Sequence, residues 1–313
     1  MTRSAIVPTA LMFTSLLGCA GCASTSHPTV ASRLGKVVSA EEMEALLDRP
    51  GPVEIRTIAT VDWSVSLGGL LNLDSPAAKE AKLEDRDEPI QIYTHFLTHP
   101  TRGLHLVDTG VSRKLAEDPG AAGVGWMVRM GMHLDRMKIR IGTGEALAEA
   151  KAPLHGVLLT HLHIDHITGM PDIPAATPVY TGPAEAGDAH WFNFVVRGTT
   201  DRLLEGKGPL EELQFSPDVS GRFEGILDLF GDGSVFAIRS TGHTEGSVAY
   251  VVRTPSGPVL LAGDTCHTRW GWEHGVEPGS FTVDRAKNLK NLRALKDLVA
   301  RHPGMAVRLG HQP

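Results

Sequence analysis

Cysteine is nearly absent from the body of this 313-residue chain: two of its three cysteines fall within the first 22 residues, leaving Cys266 alone in the remainder. A disulfide framework is thereby excluded. An exported form has to be held together by its apolar core, and the chain is long enough to build one. Cys266 is then either an inert buried thiol or a neighbour of an active site. A surplus of Lys and Arg is missing too, since 30 basic residues stand against 36 acidic ones for a net charge of −6. Neutralising phosphates requires the opposite balance, so general nucleic-acid binding is excluded and no nucleic-acid partner is expected. The apolar stretch at residues 5–17 (AIVPTALMFTSLL) is too short for a membrane span, which needs ~20 apolar residues. No short fixed-period repeat is present either.

That stretch follows Arg3 and has the make-up of an export signal. It ends in Leu16-Leu17-Gly18-Cys19, which resembles a bacterial lipobox, with Leu17 where a small residue is usual. Cys19 is the expected acylation site and membrane contact. Cys22 is the weaker candidate, because Cys19 then falls where Leu is expected. The expected organisation is a signal over residues 1–19, a tether over 20–39 and one folded domain over 40–313. The Ser, Thr and Pro of Ala23 to Arg33 read as flexible chain. The expected location is outside the cytoplasm, as a lipoprotein of the bacterial cell envelope.

A helix is expected around Ala40 to Leu47, and another over Asp284 to Ala300, where Leu289, Leu292, Leu295 and Leu298 mark one face. Apolar runs with strand character lie at Val53 to Ile58, Ile90 to Leu97, Gly103 to Val107 and Val157 to Thr160. More follow at Pro178 to Thr181, Ser234 to Ile238, Ser247 to Val252, Val259 to Ala262 and Met305 to Leu309. Strands interspersed with helices over about 260 residues give an α/β sandwich in one domain. Gly120 to Ile141 carries four methionines and Trp126 among glycines. It reads either as an adaptable lid over a substrate or as a core helix with Met as filler.

The run Thr160-His161-Leu162-His163-Ile164-Asp165-His166 follows an apolar strand. Neutral imidazole nitrogen and carboxylate oxygen are suited to zinc. In an extended segment His161 and His163 point the same way and can share one ion. As the chain turns toward a helix, Asp165 and His166 reach a second. Partners appear downstream in glycine-flanked turns: His243 in Gly242-His243-Thr244, Asp264 in Gly263-Asp264-Thr265, and His311 in Gly310-His311-Gln312. The expected ligand set is His161, His163 and His243 for one ion and Asp165, His166 and His311 for the other. Asp264 bridges the two. Two divalent ions are the expected cofactors; zinc suits the set, and iron or manganese are alternatives.

This ordered set resembles the metallo-β-lactamase superfamily over roughly residues 50 to 313. The resemblance implies an α/β fold, an αββα sandwich of two mixed β-sheets flanked by helices, with metals at one edge between the sheets. Val107-Asp108-Thr109-Gly110 is similar to the superfamily's strand-end Asp, which implies that Asp108 orients the ligand loop; the alternative is a turn cap. The bridging Asp264 counts against true β-lactamases. The glyoxalase II branch carries a C-terminal glutathione-binding domain that is missing after His311, and the lactonase-like branch fits best. Two departures stand out. His267 occupies the position where lactonases carry a carbonyl-polarising Tyr, and Gly246-Ser247 replaces a Gly-His.

The expected function is a dinuclear metal-dependent hydrolase that opens lactones or cleaves carboxylic esters of a small-molecule substrate through a bridging hydroxide. Asp165 passes a proton to the leaving alkoxide, and His267 acts at the carbonyl or leaving group. Trp270 and Trp272 are candidate pocket walls. The alternatives are a phosphodiesterase or thioesterase of the same fold, and a non-catalytic metal-binding envelope lipoprotein.

Overall fold

The computed structural model describes residues 23–120, 123–188 and 193–313. The expected signal, with Cys19 and Cys22, lies outside the described residues. The strands, in chain order, are β1 (Thr29–Ala31), β2 (Lys36–Val37), β3 (Glu54–Ser66), β4 (Asp87–His99), β5 (Gly103–Val107), β6 (Lys138–Ile139) and β7 (Leu154–Leu158). They continue as β8 (Val179–Thr181), β9 (Leu210–Glu212), β10 (Ile226–Asp228), β11 (Val235–Arg239), β12 (Val248–Thr254), β13 (Gly257–Leu261) and β14 (Ala306–Arg308). One sheet runs β1-β9-β8-β7-β5-β4-β3-β6 and the other β14-β13-β12-β11-β10-β2. Both are mixed: β7 is parallel to β5 and β8, while β4 is antiparallel to β5, and β14 is parallel to β13 in an otherwise antiparallel sheet.

Side-chain alternation explains the layers. In the second sheet Val235, Ala237, Tyr250, Val252 and Leu261 point inward and meet Leu97, Val107 and Leu158 of the first. The residues between them, Phe236, Ile238, Ala249, Val251 and Leu260, point outward onto the helices Ala40–Leu47 and Arg285–Arg301. Both faces of these strands are buried, so they read as continuous apolar runs. On the outer face of the first sheet, Leu104, Leu106, Val157 and Leu159 pack under Leu115, Val128, Ala146 and Ile167. This is the expected αββα sandwich. Leu292, Leu295 and Leu298 are buried on the last long helix, at about 1.5–3 kcal/mol of transfer free energy each.

Helix starts follow from capping. Ser39 accepts from Glu42 N at 3.2 Å while Glu42 Oε2 accepts from Ser39 N at 2.7 Å. Asp284 Oδ1 accepts from Lys287 N at 2.9 Å.

The tether expected over residues 20–39 is corrected from residue 23 onward. β1 pairs with β9 and β2 with β10, so this segment lines the edges of both sheets. The side chains of β1 and β2 are exposed, and backbone hydrogen bonds alone hold them. A polar sequence conceals such an edge strand.

Candidate metal centre

Tyr250 reaches between the sheets and donates its hydroxyl to Leu159 O at 2.8 Å, fixing the strand end from which the histidine run departs. His163 is extended at the start of the short helix Ile164–Ile167, which turns Asp165 and His166 back toward the strand. His243, Asp264 and His311 arrive on turns that follow β11, β13 and β14.

The rings of His161, His163 and His243 form a triangle with centroids 4.6 Å apart on every side. These three and Asp264 each bring one donor atom within 4.8 Å of the others, and so do Asp165, His166 and His311. Asp264 Oδ2 stands between the groups, 3.4 Å from His243 Nε2, 3.3 Å from His166 Nε2 and 3.2 Å from His311 Nε2. All seven expected side chains therefore meet. His267 joins them: Asp264, His267 and His311 form a third grouping, with His267 Nε2 3.0 Å from Asp264 Oδ2.

Outer contacts aim the rings. His166 Nδ1 donates to Asp108 Oδ2 at 2.8 Å, and the rings of His267 and His311 are held at Nδ1 by Leu70 O and Gln91 O, each at 3.0 Å. An imidazole whose Nδ1–H is donated outward turns the lone pair of Nε2 inward. Asp108 also accepts from the Thr160 backbone and hydroxyl, at 2.8 and 2.9 Å, so it orients the ligand loop rather than capping a turn. It does so from a left-handed backbone with φ +55°. The Nε2 atoms of His161 and His166 and Oδ1 of Asp264 are buried without a hydrogen-bond partner. Orphaned buried donors and acceptors are rare, and an inward-facing set of this chemistry fits divalent cations. Gly310 is required beside them, since a Cβ there would lie 2.0 Å from Asp264 Oδ1.

The charge pattern follows from burial and crowding. Burial pushes His161 and His243 well below the usual histidine range and takes His163 down to about 4, leaving neutral rings. Burial pulls on His166 and His311 too, but the carboxylate of Asp264 outweighs it with help from Asp165, and both are raised. Asp264 is buried as well, yet His311, His267 and His166 hold it well below the carboxylate range. A cation bound here would compete with protons at His166 and His311, so its affinity is expected to weaken as pH falls.

Sequence reasoning missed Glu185. It is fully buried and accepts from Leu162 N at 2.7 Å, Thr244 Oγ1 at 2.6 Å and Gly246 N at 2.9 Å. One carboxylate thus ties the His161–His163 turn to the His243 turn. Gly246 has no room for a Cβ, which would lie 2.5 Å from that of Glu185, and Ser247 Oγ accepts from Thr244 N at 3.0 Å. Nothing in the local sequence distinguishes this Glu from a surface one. Glu185→Ala is expected to lower metal affinity about 10- to 100-fold with the fold retained, as measured by competition with a chromophoric chelator. Asn288 braces the Asp264 turn through Thr265 O at 3.0 Å, and Asn291 the His243 turn through Thr241 O at 2.7 Å.

Two readings of the neighbourhood change. Trp272 packs outward against the last long helix with Lys296 Nζ 5.7 Å from its ring centre, so it is no pocket wall. Trp270 packs with Leu67, Leu71 and Val276. Cys266 is the inert alternative: burial pushes its thiol up to about 12, and Sγ donates to Thr268 O at 3.4 Å.

A sandwich whose strand-end loops gather histidines and aspartates around one carboxylate defines a metal-dependent hydrolase. The family model of the metallo-beta-lactamase superfamily matches residues 88–311, and the chain belongs to that superfamily, in its lactonase-like branch. It is 31% identical over 241 residues to the N-acyl homoserine lactonase AttM of Rhizobium johnstonii, covering 73% of this chain and 84% of the relative. The crystal structure of a quorum-quenching N-acyl homoserine lactone lactonase superposes with a TM-score of 0.57 at 17% identity, over 85% of this chain and 94% of that one. AidC, a dizinc quorum-quenching lactonase in complex with a product, gives a TM-score of 0.53 at 12% identity, over 85% and 89%.

Proposed function

We propose that this chain hydrolyses lactones and carboxylic esters, N-acyl homoserine lactones foremost, at a pair of divalent ions, zinc being the pair its donors suit. The carrying observation is the convergence of two donor groups on the single carboxylate of Asp264. His161, His163 and His243 would hold one ion and Asp165, His166 and His311 the other, with Asp264 available to both. When bound, the ions supply an activated water and polarise the substrate carbonyl. The water adds across the ring C–O bond, which gives a carboxylic acid and an alcohol.

The chain's own residues do the rest. Asp165 keeps 17% of its side-chain surface, and its outer oxygen passes a proton from the attacking water to the leaving alkoxide. His267 is fixed at Nδ1 by Leu70 O and points Nε2 at Asp264, beside the position of the substrate carbonyl, where it acts on the carbonyl or the leaving group. Phe281 and Val283, 44% and 42% exposed, flank Thr282, whose hydroxyl meets His243, and Val283 N donates to His243 O. This apolar rim favours an acyl chain over a phosphodiester. The test is a parallel assay of an N-acyl homoserine lactone, an aryl ester, a thioester and a phosphodiester. The lactone is expected to lead in kcat/KM by about tenfold or more. A leading thioester or phosphodiester overturns the proposal.

The proposed location is the bacterial cell envelope, with the chain exported and acylated at Cys19. Residues 5–17 and the Leu16–Cys19 run support this reading.

A further inference from the structure

On the acylation reading just given, Cys19 becomes the first residue of the mature chain, and Ser24 follows five positions later. Fully extended, those five residues reach about 18 Å. The chain beyond them is not slack. Thr25 N donates to Ala186 O at 3.2 Å. Thr25 Oγ1 and Ser26 N donate to Asp201 Oδ1 at 2.5 and 2.7 Å, and Ser26 Oγ donates to Asp201 Oδ2 at 2.6 Å. A lipid on Cys19 therefore holds the helix Asn193–Leu203, which carries Asp201, close against the bilayer.

The same turn of that helix holds a second segment. Thr199 Oγ1 accepts from Gly125 N at 3.1 Å, and Arg202 Nε donates to Gly123 O at 2.7 Å. The next residue opens the helix Trp126–Gly131, in which Val128 is buried while Trp126, Met127 and Met130 are 61%, 44% and 63% exposed. These are three of the eight large apolar side chains exposed among the described residues, and they share a turn and a half of helix. Trp126, Arg129 and Met130 also line a groove of about 660 Å³, whose other walls are Leu115, Pro119, Leu134, Asp135, Met137 and Ile139. Arg129 and Lys138 stand exposed on the same segment. The core-helix reading fails for this segment, which packs through Val128 and leaves Trp126, Met127 and Met130 exposed.

We propose that Trp126, Met127 and Met130 form a membrane-contact patch that enters the headgroup region of an anionic bilayer beside the lipid anchor. An exposed helix turn bearing Trp and Met with basic neighbours has the chemistry of an interfacial segment. A patch within one turn of the anchoring residues lies where the short leash brings the surface to it. Contact here turns the domain so that this side of the first sheet faces the lipid.

The test uses the full chain, isolated with its N-terminal modification, in phosphatidylethanolamine–phosphatidylglycerol vesicles whose acyl chains are brominated. Bromine quenches tryptophan that reaches the acyl boundary. Emission is expected to fall relative to unbrominated vesicles, and Trp126→Phe, which removes one of the five tryptophans, is expected to shrink that fall at least twofold. Quenching of undiminished size in Trp126→Phe overturns the patch, as does emission equal in both kinds of vesicle. If the unquenched chain sediments as a dimer, the patch belongs to a second copy. Mass analysis of the N-terminal peptide reads the anchor separately. An acylated Cys19 with unquenched Trp126 refutes only the patch, whereas a quenched Trp126 on an unacylated chain refutes only the anchor.

Discussion

Asp264→Ala is expected to leave the purified protein with less than one bound ion per chain and to lower lactone turnover by about a thousandfold or more, a loss of roughly 4 kcal/mol of transition-state stabilisation. The size of the effect follows from where the carboxylate sits. Its Oδ2 lies within 3.7 Å of Nε2 of His161, and closer still to those of His166, His243, His267 and His311. Removing it takes away the anion that both donor groups share and leaves neighbouring imidazoles facing each other without a counter-charge. Asp264→Asn keeps the volume and is expected to fail nearly as badly, because the negative charge is what holds two cations together. Metal analysis and single-substrate kinetics check both variants, with circular dichroism confirming the fold. Full activity of Asp264→Ala after chelation would falsify the two-ion reading.

His267→Phe is expected to lower kcat by about a hundredfold while metal content stays unchanged, the range seen when one polarising donor is removed. Phenylalanine keeps a ring in the pocket but has neither the Nδ1 contact to Leu70 O nor a nitrogen facing Asp264. His267→Tyr puts back a donor at the position where lactonases carry one, and turnover is expected to recover to within about tenfold of the parent chain. Kinetics and metal content measured side by side separate the possible roles. If His267→Phe instead loses metal in proportion to activity, His267 is a ligand and not a carbonyl donor.

The seven clustered side chains were legible because each lies in a polar turn at the end of an apolar run, and strand ends on one edge of a sandwich converge. Their common centre on Asp264 needed the fold, since nothing local says which strands are neighbours. His267 was visible as a departure from a motif, but its fixed orientation depends on Leu70 O, almost two hundred residues away in sequence. Glu185 was invisible: a Glu between Ala184 and Ala186 looks solvated until two distant turns close over it. The edge strands β1 and β2 were hidden for the opposite reason. Their pairing is backbone only, and a Ser/Thr/Pro-containing stretch carries no apolar period to announce it. Trp272 was misjudged because nearness in sequence to the Asp264 turn does not set direction. The helix Arg269–His274 turns that ring toward the last long helix instead.

Anomalous scattering at the zinc edge, recorded on crystals of the chain grown with zinc, tests the central claim most directly. Two peaks are expected about 3.5–4 Å apart, one among His161, His163 and His243 and the other among Asp165, His166 and His311, with Asp264 between. A single peak, or peaks away from Asp264, would contradict it.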